Sequence, residues 1–292
     1  MALHDNYQRP LSNIRISLNS GCNLRCIYCH REGECRPEEP MPLDDIREIL
    51  LISQRFGIKS VKFTGGEPLL RRDILDVIRC VPDGIESSIT TNGTLLAPLA
   101  QDLAAAGLKR VNISLDSLRP DTYHQITGCD SLQDVLDGIE ASRNAGLVPI
   151  KINMVLLKGI NEDEIEDFIT LVSDDRQMVL QIIELMELGG CQYHADLEDL
   201  ETRIAASSKR VITRRMHHRK KYCYGGAEIE FVRPRHNSEF CKHCNRLRVT
   251  SDGKLKPCLL RNDNHVDIKG KRGDELEELF RKAISLRAPY NT

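Results

Sequence analysis

The run Ile14-Arg-Ile-Ser-Leu18-Asn-Ser-Gly-Cys22-Asn-Leu-Arg-Cys26-Ile-Tyr-Cys29 joins an apolar stretch of strand character to a loop with three cysteines in eight residues. Thiolates are the soft ligands that hold iron–sulfur clusters, and ferredoxin loops supply four of them. Three thiols leave one iron open. An open coordination position belongs to chemistry, whereas structural metal sites are closed. The competing reading is a structural zinc loop completed by His30 or Cys35, although zinc loops ordinarily use a second, well-separated pair.

Outward from this loop, strand and helix alternate. Apolar spacing predicts helices over 44–56, 71–80 and 95–106, one from Ser131 to Gly146, and one reaching Val172 behind an Asn161/Glu164 capping pair. Strands are expected over 60–63, 87–91, 110–114, 149–156 and 178–186. Such alternation specifies βαβ units and a parallel sheet. Each candidate motif falls where a strand ends, the face on which α/β barrels carry their active sites. Thr64-Gly-Gly-Glu-Pro68 is one of these: adjacent glycines permit close backbone approach and Pro68 fixes the exit.

After Glu187 the pattern changes. Leu188-Gly-Gly-Cys191 and the acidic 196–201 read as connector, and 209–221 is strongly basic. The basic stretch is read as a strand pair facing solvent or an anionic ligand, in preference to a nucleic-acid patch, because aromatic interleaving is limited to Tyr222 and Tyr224. A second cysteine group follows, Cys241-Lys-His-Cys244 and Cys258. Two strands around Asp252-Gly253 would return Cys258 to its partners. A zinc site with His236 or His243 as fourth ligand fits this spacing too. Arg246 and Arg248 alternate on one strand, so they share a face and offer forked donors suited to phosphate.

Composition sets limits. The 292 residues are 40% hydrophobic and 29% charged, ordinary for a globular chain, and the net charge of −2 gives no global field for nucleic acid or anionic membrane. No apolar run follows Met1-Ala-Leu-His-Asp5 and none is long enough to span a bilayer, so a cytoplasmic protein is expected. Eleven cysteines, an odd number, disfavour a disulfide framework; Cys35, Cys80, Cys129, Cys191 and Cys223 are scattered.

Taken jointly, the C-x3-C-x2-C loop, Thr64-Gly-Gly-Glu-Pro68 and the Cys241-x2-Cys244-Asn-Arg-Leu-Arg-x-Thr-x2-Gly-x4-Cys258 segment resemble the GTP 3′,8-cyclase family of radical S-adenosylmethionine (SAM) enzymes. The resemblance implies an α/β fold: a partial (βα)6 TIM-like barrel over 1–187, with a C-terminal region, 188–292, packed across its opening. It implies two [4Fe–4S] clusters, one on Cys22, Cys26 and Cys29 with SAM on its open iron, the other on Cys241, Cys244 and Cys258 facing the guanine base. Tyr28, Gly66, Ser114 and Met186 match SAM contacts. Arg15, Lys62, Thr90 or Thr91, Lys151, Arg246, Arg248 and the backbone of Leu247 match GTP contacts. The first three cysteines, Arg246 and Arg248 would carry the catalysis.

The implied reaction begins with a 5′-deoxyadenosyl radical that takes the ribose 3′ hydrogen of GTP. Attack of the ribose radical on C8 gives (8S)-3′,8-cyclo-7,8-dihydroguanosine 5′-triphosphate, with release of 5′-deoxyadenosine and methionine, in the first step of molybdenum cofactor biosynthesis. Implied partners are a ferredoxin- or flavodoxin-type electron donor and the next enzyme of the molybdopterin pathway, for a monomer or homodimer with no membrane or nucleic-acid partner. Two features depart from the family pattern. Bacterial members end in Gly-Gly, whereas this chain ends Ala288-Pro-Tyr-Asn-Thr292, and Lys62 stands where many relatives carry Arg, which keeps the charge and loses the fork. The alternatives are another radical SAM enzyme with an auxiliary cluster, acting in peptide or protein maturation, and a zinc or redox regulator that binds RNA through 209–221.

Overall fold

Six strands follow one another in both sequence and space. The computed structural model, which describes residues 3–30, 40–173, 175–186, 192–214, 216–233 and 238–289, orders them as β1 (Asn13–Ser17), β2 (Ser60–Thr64), β3 (Glu86–Thr91), β4 (Arg110–Ser114), β5 (Ile150–Leu156) and β6 (Met178–Glu184). Each pairs in parallel with the next. The connections carry α1 (Leu43–Arg55), α2 (Ile74–Arg79), α3 (Ala100–Ala105), α4 (Pro120–Thr127) with α5 (Leu132–Asn144), and α6 (Ile165–Val172). This is the expected partial (βα)6 barrel.

Strand parity decides its inside and outside. Ile14, Ile16, Val61, Phe63, Val111, Ile113, Ile150 and Ile152 are buried in the apolar core together with residues of the surrounding helices. Their neighbours in sequence, among them Arg15, Lys62, Asn112 and Lys151, turn to the other face, as period-two geometry requires. The barrel interior is therefore polar. On α1, Ile46, Ile49, Leu50 and Ser53 are buried, and the Ser53 hydroxyl is satisfied by donating to the Ile49 carbonyl at 2.7 Å.

Several elements differ from expectation. Residues 71–73 precede α2 because Arg71 is extended and spent on Asp73, the Leu18 carbonyl and the Met41 carbonyl. α4 was not anticipated, although Pro120 opens it and Gly128, at φ 71°, closes it in the left-handed region. Asn161 and Glu164 do not cap α6. Asn161 donates to the carbonyls of Asp116 and Val155, while Glu164 accepts from the Ser117 hydroxyl and the Leu118 amide, so the pair ties two loops together. The acidic 196–201 contributes the start of α7 (Glu198–Ala206).

The rest of the chain extends both sheet edges. On the β6 side, β9 (Ala227–Val232) adds in parallel and β8 (Lys220–Tyr224) and β7 (Arg210–Thr213) follow antiparallel. On the β1 side, β10 (Arg246–Val249) adds in parallel, then β11 (Lys254–Lys256) and β12 (Val266–Asp267) antiparallel. The two flanks meet: the His217 ring stacks on Phe240 of α8 (Ser238–Lys242) at 3.7 Å, and the His217 amide donates to the His243 carbonyl at 3.1 Å. Cys35, Cys191 and His236 lie outside the described residues.

α9 (Gly273–Ser285) closes the fold by laying Leu276, Phe280, Ala283 and Ile284 against the core, with Phe280 stacked on Phe56 at 6.0 Å. Emptying that position costs transfer energy plus a cavity, so Phe280→Ala is expected to destabilise the protein by about 3–5 kcal/mol. The shift in denaturation midpoint measures this.

Candidate active site

The cysteine loop leaves β1 and is held by backbone. The Arg25 and Ile27 amides donate to the Thr127 and Ile126 carbonyls at the end of α4, at 2.8 and 3.0 Å. Gly65 and Gly66 press on the same loop, with the Gly66 amide donating to the Asn19 carbonyl and the Glu67 amide to the Gly21 carbonyl. A Cβ at Gly66 would collide with the Gly21 carbonyl, and one at Gly65 with Asn19. The glycines are thus demanded by the loop's own backbone. Gly66→Ala is expected to cost the loop its iron while leaving iron at the second cysteine group, read as metal per chain after reconstitution.

Glu67 continues the same device. Its buried carboxylate accepts from the Thr91 hydroxyl and the Asn92 amide, both at 2.7 Å, and from the Leu69 amide at 3.0 Å. Burial pushes its pKa up against these hydrogen bonds. Asn92 in turn donates to Asn23 and, at 3.8 Å, to Cys22 Sγ. The Thr91 hydroxyl therefore faces Glu67. Thr90, one residue away and on the opposite face, is turned into the cavity with its hydroxyl buried.

Burial, with the Asp116 carboxylate and the neighbouring thiols, pushes the Cys26 thiol up, and burial does the same for Cys22. Ligation is what would deliver the thiolates. The donor set fits an open cluster: each group supplies three thiols, and thiolates are the ligands that hold iron–sulfur clusters.

Inside the barrel, one chamber of about 330 Å³ is lined by Arg15, Tyr28, Lys62, Thr90, Ser114, Asp116, Asn153, Met186, Arg246 and Arg248. It adjoins a deeper one of about 440 Å³, lined by Lys62, Arg110, Lys151, Arg176, Arg214, Arg219 and Arg246. A third, around Cys241, Cys244 and Cys258, shares His217, Phe240, Arg246 and Arg248 with the first. These volumes suit a small-molecule ligand. Buried polar atoms without a hydrogen-bond partner among the described residues gather here: Thr90 Oγ1, Asn112 Oδ1, Asn153 Oδ1 and Arg219 Nε. Such atoms are costly unless a ligand or water completes them.

Tyr28 donates to Asp116 at 2.5 Å, and Asp116 also accepts from the Val155 amide, while burial lifts the Asp116 carboxyl to about 6. Burial and the surrounding Arg15, Arg246 and Lys151 push Lys62 well below its ordinary value. His217, buried and flanked by Arg246, Arg219, Arg248 and Arg15, falls to about 2 and is neutral. Leu247 points its side chain into the core, and its residue pairs with Ile14 in the ladder. Arg214 and Arg219 belong to the basic stretch read as facing solvent or an anionic ligand, whereas Gln181 and Glu230 were not singled out from the sequence. The available signal for Glu230 was a carboxylate inside the apolar run of β9, the mirror of Lys151 in β5.

The second cysteine group is braced by both ends of the chain. Arg9 donates to the Cys241 carbonyl at 2.9 Å and Arg287 to the Cys244 carbonyl at 2.5 Å. Both guanidinium groups meet one buried carboxylate, Asp5, at 2.6 and 3.3 Å. Removing one member of a buried ion cluster strands the others, so Asp5→Asn is expected to destabilise by about 3–5 kcal/mol. The same variant should lose iron from the second group first, which spectroscopy of the remaining cluster would show.

Comparison with known proteins places this geometry. Residues 16–172 match the radical SAM superfamily and residues 178–292 match the Molybdenum Cofactor Synthesis C family. Proteins named "Probable GTP 3′,8-cyclase" align along the chain. That of Methanocella arvoryzae is 51% identical over 99% of this chain and 94% of its own length. That of Archaeoglobus fulgidus is 43% identical over 99% of both. Among solved structures, Streptococcus suis SuiB bound to S-adenosylmethionine (TM-score 0.66, 18% identity, 94% of this chain and 67% of that one) and native anSMEcpe with bound AdoMet (0.67, 18%, 94% and 81%) share the fold.

Proposed function

The chain belongs to the GTP 3′,8-cyclase family of radical SAM enzymes, and on that premise we propose a role for each part of its site. The reaction converts GTP to (8S)-3′,8-cyclo-7,8-dihydroguanosine 5′-triphosphate with two [4Fe–4S] clusters and SAM. One observation carries the residue assignment: two cavities that share His217, Phe240, Arg246 and Arg248 extend from Tyr28 of the first cysteine loop to Cys241, Cys244 and Cys258.

Cys22, Cys26 and Cys29 hold the first cluster, which when bound supplies the electron that cleaves SAM. Tyr28, Ser114 and Met186 shape the SAM end, with Tyr28 fixed by Asp116. Gly66 acts by seating the loop. Cys241, Cys244 and Cys258 hold the second cluster, at the guanine end. Arg15, Lys62, Thr90, Arg246 and Arg248 surround the ribose and the nearer phosphates, and Lys151 with the deeper cations takes the remaining charge. Forked guanidinium donors suit phosphate oxygens, and residues fixed on strands hold the ribose in one pose.

The functional division falls after 187, since β6 ends the parallel barrel and later strands only extend its edges. Among the described residues no helix is long and apolar enough to cross a membrane. We place the enzyme in the cytoplasm, with a ferredoxin- or flavodoxin-type protein as reductant, docking where Cys22 and Cys29 are exposed, and the next molybdopterin enzyme as recipient; monomer and homodimer are both compatible with this site, which is built within one chain. Reconstituted variants lacking either cysteine trio test the assignment. Each should retain one cluster's iron and its own electron paramagnetic resonance signal. Full iron retention in either variant contradicts the ligand set.

A further inference from the structure

Glu230 is fully buried on β9, and four side chains converge on it. Lys151 Nζ lies 3.2 and 3.4 Å from its two oxygens, Arg214 Nη1 2.5 Å from Oε1, Arg219 Nη1 3.6 Å from Oε2, and Gln181 Nε2 2.5 Å from Oε2. Lys151 and Gln181 come from β5 and β6 of the barrel; the arginines come from the ends of the β7–β8 hairpin, where the Arg214 amide donates to the Arg219 carbonyl at 2.8 Å. Its four partners line the deep chamber.

We propose that Glu230 is the positioning residue for the polyphosphate of the substrate: a buried anion that gathers Lys151, Arg214 and Arg219 into one cationic fork before the ligand arrives. The inference rests on the reading of GTP as substrate and adds a residue to it. Three cations brought this close repel one another where water is scarce. Without the carboxylate, Lys151 has an easy escape in losing its proton and Arg214 in swinging outward, since its side chain is 38% exposed. The carboxylate closes both routes and keeps the fork assembled.

The ionisation pattern agrees. The charged groups facing the Lys151 amine are Glu230, Arg214, Arg219 and Lys62. Burial lowers Lys151 to about 7, Glu230 pulls it up, and the two arginines push it down. Burial would raise Glu230, but Lys151, Arg219 and Arg214 outweigh it and hold it at about 2. Removing the carboxylate therefore drives Lys151 lower still. Wild-type Lys151 thus holds its charge below about pH 7, and without the carboxylate that charge is lost at a lower pH, so the two forms differ most in mildly acidic solution.

The test is calorimetric binding of inorganic tripolyphosphate to reconstituted holoenzyme, for wild type, Glu230→Gln and Glu230→Asp, alongside KM and kcat with GTP. Glu230→Gln is expected to weaken tripolyphosphate roughly tenfold near pH 6 and distinctly less near pH 8, where Lys151 is largely neutral in both forms, raising KM for GTP with little change in kcat. Glu230→Asp, which keeps the charge and shortens its reach, should show a smaller loss, and it decides the matter if the glutamine variant does not fold. Binding in either variant equal to or tighter than wild type near pH 6 overturns the proposal. So does a loss that is the same at both pH values, the mark of a merely structural role. If wild type binds tripolyphosphate yet returns GTP unchanged, the cyclase reading fails and the role of Glu230 stands; if it cyclises GTP and Glu230→Gln binds like wild type, the reverse holds.

Discussion

Cys22→Ala is expected to bring 5′-deoxyadenosine formation below detection while leaving the fold intact. Cys22 is exposed, and its sulfur accepts from the Leu24 amide at 3.4 Å and from Asn92. Few packing contacts are lost, so stability should stay within about 0.5 kcal/mol. Chemistry is another matter. A cluster held by three thiolates cannot lose one and keep a single open iron. Chromatography for deoxyadenosine, paired with a thermal melt, separates the two effects; substantial SAM cleavage by the variant would mean that the ligand loop has been misassigned.

Cys241→Ala should have an equally large effect on a different product. Deoxyadenosine should still form, at an uncoupled rate, because the first loop is seated by Gly66, Glu67 and α4 and none of these touches Cys241. The cyclised nucleotide should vanish, since Cys241 sits with Cys244 and Cys258 at the end of the cavity where Arg246 and Arg248 converge. Arg9 would also lose the fixed position of its acceptor, the Cys241 carbonyl. The ratio of the two products reports the coupling. Cyclised product at an unreduced yield would place the base elsewhere.

Much of this architecture could be read from the chain, because strand parity and motif position carry it. Lys62 and Lys151 are charges inside apolar strands, and period-two geometry turns them, like Arg15, to the face opposite their apolar neighbours. The same rule separates Thr90 from Thr91 once the strand's faces are known, but the sequence does not say which face looks inward. What stayed hidden was long-range. Asp5, Arg9 and Arg287 join the two ends of the chain at the second cysteine group, and nothing local marks them. Glu230 meets Lys151 only because β9 adds beside β6 after an excursion through α7 and the hairpin. Asn161 and Glu164 have the spacing of a cap; the Asp116–Leu118 loop competes for them and wins, since burying both side chains there satisfies four hydrogen-bonding groups.

The most direct test is anaerobic turnover of GTP carrying deuterium at the ribose 3′ carbon, with SAM and reductant, followed by mass analysis of the deoxyadenosine and the nucleotide. The account predicts deuterium in 5′-deoxyadenosine together with a cyclised guanosine triphosphate, both dependent on GTP. Deoxyadenosine without deuterium, and GTP recovered unchanged, would contradict it.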